Sequence, residues 1–155
     1  MIDLIISGGQ SGADQGGLFA AKALNIPTGG YAPKGWKTEA GAAPWLAEYG
    51  LMESESPDYV DRTKDNVRMS DATVIFGRRS RGSNKTEEYC RVLDKTCLWV
   101  PWYVDYPISE RLAAQYFKLW IARNKVKTLN VAGNRESKNP GIGEYVKTFL
   151  METLK

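Results

Sequence analysis

Apolar residues along this chain fall into short continuous runs separated by stretches in which they return every three or four positions. Ile2 to Ser7 is a run rich in branched residues that stops at Gly8-Gly9, which suits a strand buried on both faces better than a half-exposed, alternating one. From Asp14 to Asn25, Leu18, Ala21 and Leu24 recur at helical spacing, and Ala20 and Ala23 permit close packing on a sheet. Ile26 to Tyr31 allows a second, short strand, punctuated by Pro27 and Gly29-Gly30. Residues 32 to 56 read as irregular apart from a short helix over Pro44 to Tyr49, and excursions of that length usually carry function or move. Ser56-Pro57 reads as a cap followed by proline at the first helical position, opening a polar helix to about Met69. Ala72 to Gly77 is the clearest internal strand. A helix from about Lys85 to Asp94 leads to a strand over Thr96 to Val100, which Pro101 stops. Ser109 opens an amphipathic helix to about Asn124 with Leu112, Tyr116, Leu119 and Trp120. Thr128 to Ala132 forms the last strand, and Gly141 to Lys155 the last helix.

Strands alternating with helices predict a doubly wound α/β fold, a parallel sheet with helices on both faces. The length of 155 residues suits one domain spanning 1–155, without internal repeats. With 43% hydrophobic and 25% charged residues, the composition is that of an ordinary globular chain and excludes collagen-like or wholly disordered classes. No apolar run approaches the roughly 20 residues that cross a bilayer, so no membrane partner is expected. Met1 to Ile6 has neither a basic region nor a small-residue cleavage site, which makes a cytoplasmic location the expectation. The absence of histidine removes Ser-His-Asp triads, Cys-His pairs and most transition-metal sites. Cys90 and Cys97, seven positions apart, match neither a redox pair nor a zinc half-site and read as reduced thiols. A net charge of +3 is too small to point to nucleic acid, although a local cluster can hold an anion.

In an open parallel sheet, ligands bind at the carboxyl edge, where the strand-to-helix loops emerge. Three loops there carry candidate chemistry. After the first strand comes Ser7-Gly8-Gly9-Gln10-Ser11-Gly12-Ala13-Asp14, whose glycines let backbone N–H groups approach a phosphate ahead of a helix N-terminus. It matches neither the Walker A nor the dinucleotide-binding spacing, and Asp14 has the alternative role of capping the helix. After Phe76, Gly77-Arg78-Arg79-Ser80-Arg81-Gly82-Ser83-Asn84-Lys85-Thr86 gathers four cations without an acid, either a solvated basic turn or an anion clamp. Gly133-Asn134-Arg135-Glu136-Ser137-Lys138-Asn139-Pro140-Gly141 likewise joins a strand to a helix. Lys34 and Trp36, in the irregular excursion, are placed to fold over the same rim and offer a flat contact for a base or pterin. Tyr59, Arg62 and Asn66 share one helix face, as a solvated helix would also arrange them. Trp99, Trp102, Tyr103 and Tyr106, beside Pro101 and Pro107, suggest an oligomer contact or core.

The order of Gly8-Gly9-Gln10-Ser11-Gly12-Ala13-Asp14, Gly30-Tyr31-Ala32-Pro33-Lys34-Gly35, Tyr59, Arg62-Thr63, Asn66-Val67 and Ser70-Asp71-Ala72-Thr73 resembles the putative molybdenum carrier family. Asn130-Val131-Ala132-Gly133, Arg135-Glu136-Ser137 and Pro140-Gly141 match it as well, so the resemblance covers nearly the whole chain. That family looks like a circularly permuted member of the Rossmann-like SLOG superfamily, which includes molybdenum-cofactor carriers, phosphoribohydrolases and nucleotide sensors. The resemblance implies a homo-oligomer that binds a phosphorylated small molecule. Two departures matter. Gly82-Ser83-Asn84 stands where relatives often show Gly-Gly-Thr. The glutamate that phosphoribohydrolases place three residues after a threonine is missing after Thr86, with Glu88 one position early.

The three loops and the resemblance together point to a binding protein for a molybdopterin-type molybdenum cofactor or a nucleotide, acting without chemistry, with roles that follow from position in the loops. Gly8, Gly9, Gln10, Ser11 and Gly12 would supply amides, with Asp14 beside them. Arg78, Arg79, Arg81 and Lys85 would supply charge, Ser83 and Thr86 hydroxyls, and Gly82 a tight turn. Gly133, Arg135 and Ser137 would form a second clamp, with Lys34 from the excursion. The alternatives are a nucleotide N-glycosidic-bond hydrolase, with Glu87 or Glu88 assisting the departing base, and a nucleotide-sensing interaction module. Arg81→Ala and Gly9→Val are each expected to weaken ligand binding while leaving the fold intact.

Overall fold

The structure is a computed structural model that describes residues 1–103 and 109–155. Its central sheet holds β1 (Leu4–Ile6), β2 (Thr28–Ala32), β5 (Leu51–Glu53), β6 (Ala72–Phe76), β7 (Thr96–Val100) and β8 (Thr128–Gly133), in the order β5-β2-β1-β8-β6-β7. Every pair in it is parallel, with Ile5 beside Leu129 on one side of β8 and Val74 beside Val131 on the other. The helices are α1 (Ala13–Ala23), α2 (Tyr59–Met69), α3 (Arg81–Val92), α4 (Glu110–Arg123) and α5 (Ile142–Thr153). A two-residue hairpin, β3 (Lys37–Thr38) with β4 (Gly41–Ala42), and a 3-10 turn over Pro44–Tyr49 lie between β2 and β5.

The periodicity of two within strands divides the core between two faces. Ile5, Ala72, Val74, Phe76, Leu129 and Val131 point into one cluster with Ala13, Ala20 and Ala21 of α1, Phe117 of α4, and Ile142, Val146, Phe149 and Leu150 of α5. On the other face Thr73 accepts the Asn130 side-chain amide at 3.1 Å and meets Cys90 of α3, while α2 packs on α3 and β2. The predicted helices on both faces of a parallel sheet are therefore present. Because β1 leads to β2 on one side and β6 to β7 on the other, with β8 returning between them, the loops after β1, β6 and β8 open into one crevice at the carboxyl edge.

Three boundaries differ from those read in the sequence. The polar helix is capped by Asp58, which accepts the Val60 N–H at 2.9 Å, rather than by Ser56, whose hydroxyl instead accepts the Asp58 N–H at 3.0 Å. The helix after β6 starts at Arg81, not Lys85, because Ser80 and Ser83 form a reciprocal cap: Ser80 Oγ accepts the Ser83 N–H and Ser83 Oγ accepts the Ser80 N–H. The irregular excursion holds a hairpin and the edge strand β5, which three residues after Gly50 are too few to announce.

Candidate functional site

The three loops are tied to one another before any ligand is considered. Asn134, buried after β8, accepts the Arg78 N–H at 2.8 Å and returns its amide to the Arg78 carbonyl at 2.9 Å, fixing the loop after β6. Its own carbonyl accepts the Ala13 N–H at 3.1 Å, and the Ser11 carbonyl accepts the Glu136 N–H at 3.3 Å, which joins the loops after β1 and β8. The Glu136 carboxylate accepts the N–H groups of Gly141 and Gly143 and so caps α5. Gly12 makes the approach of these loops possible. It has φ +100°, and a Cβ there would lie 2.5 Å from Asn134 O and 2.6 Å from Glu136 N. Gly12→Val is therefore expected to cost at least about 2 kcal/mol of stability, read as a lower urea midpoint, because both the backbone conformation and the contact oppose a side chain.

The crevice is a cleft of about 790 Å³. The first loop contributes Gly8, Gln10 and Asp14, and the second Arg78 and Ser80 together with Arg81, Gly82, Ser83, Lys85 and Thr86 from the first turns of α3. The third contributes Gly133, Asn134, Arg135 and Lys138 beyond the floor of Asn130, Val131 and Ala132, and α2 supplies Tyr59, Val60, Arg62, Thr63 and Asn66. Six residues with cationic side chains, Arg62, Arg78, Arg81, Lys85, Arg135 and Lys138, thus line the cleft together with one acidic residue, Asp14, among the described residues.

Arg62 reaches back over Gly8, where a Cβ would lie 1.5 Å from its Nη1, and pairs with Asp14 Oδ2 at 3.2 Å. The pair is buried. Burial pushes the Asp14 carboxyl above its ordinary range, while the Arg62 guanidinium and the Gln10 N–H, 3.2 Å from Oδ2, pull it back. Asp14 is thus no helix cap: Gly12 occupies the cap position. The Tyr59 ring lies under the guanidinium of Arg135 at 4.9 Å and that of Arg62 at 5.7 Å, which makes it a cationic platform at the cleft wall. Lys85 pairs with Glu88 at 3.2 Å in an exposed setting, whereas Arg78, Arg81, Arg135 and Lys138 have no ion-pair partner among the described residues.

Residues 5–154 match the circularly permutated YpsA SLOG family. The chain belongs to that family. Among solved structures, it is similar to a protein described as a putative molybdenum carrier protein from Syntrophus aciditrophicus SB. The two share 38% identity over 98% of this chain and 94% of that one, with a TM-score of 0.88. No curated protein matches the chain. The resemblance drawn from the separated motifs is thereby shown, and with it the Rossmann-like fold.

Of the residues singled out in the sequence, the structure gathers Gly8, Gln10, Asp14, Arg78, Arg81, Gly82, Ser83, Lys85, Thr86, Gly133 and Arg135 around the cleft. Others lie off its lining. Gly9 points instead at Leu46; at φ +77° with a Cβ 2.6 Å from Leu46 Cδ1, valine there strains the fold, so the expectation that Gly9→Val spares it is corrected. Arg79 stacks its guanidinium 4.5 Å from the Trp99 ring and pairs with Glu87 at 3.3 Å. Lys34 is exposed outside the lining. Ser11 and Ser137 bind Glu39, and Gly12 supports the loop contact already described. Trp36 packs against the cluster of Leu18, Ala32, Ala43, Leu46 and Leu51 and is partly buried there, not offered to a ligand.

Glu87 and Glu88 both lie off the cleft lining. Glu87 accepts the Trp99 indole N–H and an Arg79 hydrogen bond, which hold its carboxyl below the ordinary range. Trp102 stacks on Tyr145 at 4.7 Å and joins the main core, while Tyr106 and Pro107 fall outside the described residues. The α2 residues Tyr59, Arg62 and Asn66 had a signal in their spacing, but a solvated helix gives the same spacing. Asn134 had none beyond its place in the third loop. Among the described residues no group of three or more His, Cys, Asp or Glu is placed to hold a metal, and no helix is long and apolar enough to cross a membrane.

Proposed function

We propose that this chain holds a phosphorylated small molecule, a molybdopterin-type cofactor or a nucleotide, in the cleft at the carboxyl edge of the sheet and performs no chemistry on it. The observation that carries the reading is the charge of the cleft. Arg78, Arg81, Arg135 and Lys138 have no acidic partner among the described residues, and six cationic residues line the cleft together with one acidic residue that is already committed to Arg62. Crowded cations repel one another, and an anion with several oxygens relieves that repulsion while accepting charge-assisted hydrogen bonds. Gly8, Gly82 and Gly133 keep backbone close to the ligand, Ser83 and Thr86 add hydroxyls, and Tyr59 offers a ring for a flat heterocycle.

A molybdopterin-type group fits the donor set at its phosphate, which Arg78, Arg81 and Arg135 would hold. Bound there, it is cargo whose molybdenum remains on its own organic ligand. The carrier reading is supported by the description of the Syntrophus aciditrophicus relative and by the placement of Glu87 and Glu88 away from the cleft. Native mass spectrometry of the protein as isolated tests it by weighing what it carries. A panel of adenosine, AMP and ADP tests the charge: affinity is expected to rise with phosphate number, adenosine binding at least about tenfold more weakly than ADP, since each charge-assisted hydrogen bond contributes about 1.5–3 kcal/mol. Equal affinity for all three, or sustained release of free base from the nucleotides, would count against the reading. The oligomer expected from the sequence and a cytoplasmic location belong to the same proposal.

A further inference from the structure

The hairpin of β3 and β4 delivers Glu39 to a place where two loops meet. Its carboxylate accepts hydrogen bonds from Ser11 Oγ at 2.5 Å, from the Ser137 N–H at 3.0 Å and from Ser137 Oγ. The Glu39 N–H donates to Gln10 Oε1 at 2.8 Å, which also accepts the Ser11 N–H at 3.1 Å. Two hydroxyls and a backbone N–H from separate loops thus converge on one oxyanion, with the Arg135 charge adding to its attraction. Partial desolvation alone would raise the Glu39 carboxyl, but the Ser11 and Ser137 hydrogen bonds outweigh it and hold the group below its ordinary range.

This donor set adjoins the cleft, because Gln10 beside Ser11 and Arg135 near Ser137 both line it. Gln10 is 5% exposed, and its Nε2 is a buried donor without a partner among the described residues. A carboxylate and a phosphate present the same kind of acceptor to hydroxyl and N–H donors. The hairpin holding Glu39 in place has two residues in each strand and is not part of the main sheet. Of residues 37–42 only Thr38 is buried.

We infer that Ser11, Ser137 and Arg135 form a second anion site, which Glu39 fills as an internal stand-in and which a diphosphate-bearing ligand takes over by releasing the hairpin. The inference rests on the proposed binding of a phosphorylated ligand in the adjoining cleft. One phosphate lies among the cleft cations and the other replaces the Glu39 carboxylate. Glu39 then lowers affinity by the fraction of molecules in which it occupies the site.

Calorimetric titration of the full chain with inorganic pyrophosphate tests this at neutral pH. Glu39→Ala is expected to bind at least about tenfold more tightly than the natural chain, as it would if Glu39 holds the site in about nine molecules of ten. Adding Ser11→Ala and Ser137→Ala to that variant is expected to remove the gain. Glu39→Gln, which keeps an acceptor and loses the charge, gives a smaller gain in the same direction and serves if the alanine variant folds poorly. Unchanged or weaker binding in both Glu39 variants overturns the inference, and so does a gain that survives loss of both serines. Arg78→Ala with Arg81→Ala separates the two claims, since its loss of affinity tests the cleft alone and is expected whether or not Glu39 competes for the second site. If the natural chain binds and loses affinity with those arginines while Glu39 has no effect, the cleft reading stands and this one falls.

Discussion

Alanine at Asp14 is expected to remove roughly 3–5 kcal/mol of stability, the cost of stripping one partner from a buried ion pair and leaving the other charge without compensation. In a chain of this length that corresponds to a fall in thermal midpoint of about 10 °C, since each kcal/mol moves a domain of 150–250 residues by about 2–4 °C. Arg62 is held against Gly8 and Asp14 with little solvent, so it has no ready substitute partner. Asp14→Asn keeps an acceptor for the Gln10 N–H and is expected to lose less. The sign with pH follows from the raised carboxyl. A native carboxyl that binds its proton more readily than the unfolded chain makes the Asp14 contribution weaken as pH rises above the unfolded value of 3.8 and through the native one. Differential scanning calorimetry of Asp14→Ala, Asp14→Asn and the double replacement Asp14→Leu with Arg62→Leu checks the argument. The double variant, which removes both charges together, is expected to be closer to the natural chain than Asp14→Ala alone. A stable Asp14→Ala would show that solvent reaches Arg62.

The second large effect concerns binding. Replacing Arg78, Arg81 and Arg135 together by alanine is expected to weaken the affinity for ADP or pyrophosphate by about a thousandfold or more, because each removes a charge-assisted interaction of about 1.5–3 kcal/mol and the losses overlap only in part. The fold should survive. None of the three side chains makes an ion pair among the described residues, and Asn134 holds Arg78 through backbone atoms that alanine retains. Raising the ionic strength should weaken the natural chain far more than the triple variant, as screening acts on charges that remain. Titration calorimetry at low and high salt reads both effects. An affinity in the triple variant within about threefold of the natural chain would place the ligand elsewhere.

The sequence made β1, β6, β7, β8 and the three loops legible because these strands are short runs rich in apolar residues, and each loop carries glycine or cations where a run ends. What it hid has physical causes. Ser80 and Ser83 cap α3 reciprocally, yet in the sequence they stand inside a basic, glycine-containing stretch that reads as a turn, so the first turn of the helix, with Arg81, lay unrecognised. Arg62 comes from an element distant in sequence and reaches the first loop only because Gly8 has no side chain, a contact that local periodicity cannot register. Ser11 and Ser137 look like free phosphate donors until the hairpin brings Glu39 across to them. Glu39 itself stands in a stretch without periodicity, where nothing in the pattern announces a partner.

Amide NMR during titration with pyrophosphate reads every loop at once in the intact protein, and so decides whether the three loops form one phosphate site. The account predicts concerted shifts at Gly8, the amides from Arg78 to Thr86, and Gly133 to Arg135, saturating together and reversed by salt. Saturating shifts confined to other surfaces, or none in these three loops at millimolar pyrophosphate, would contradict it.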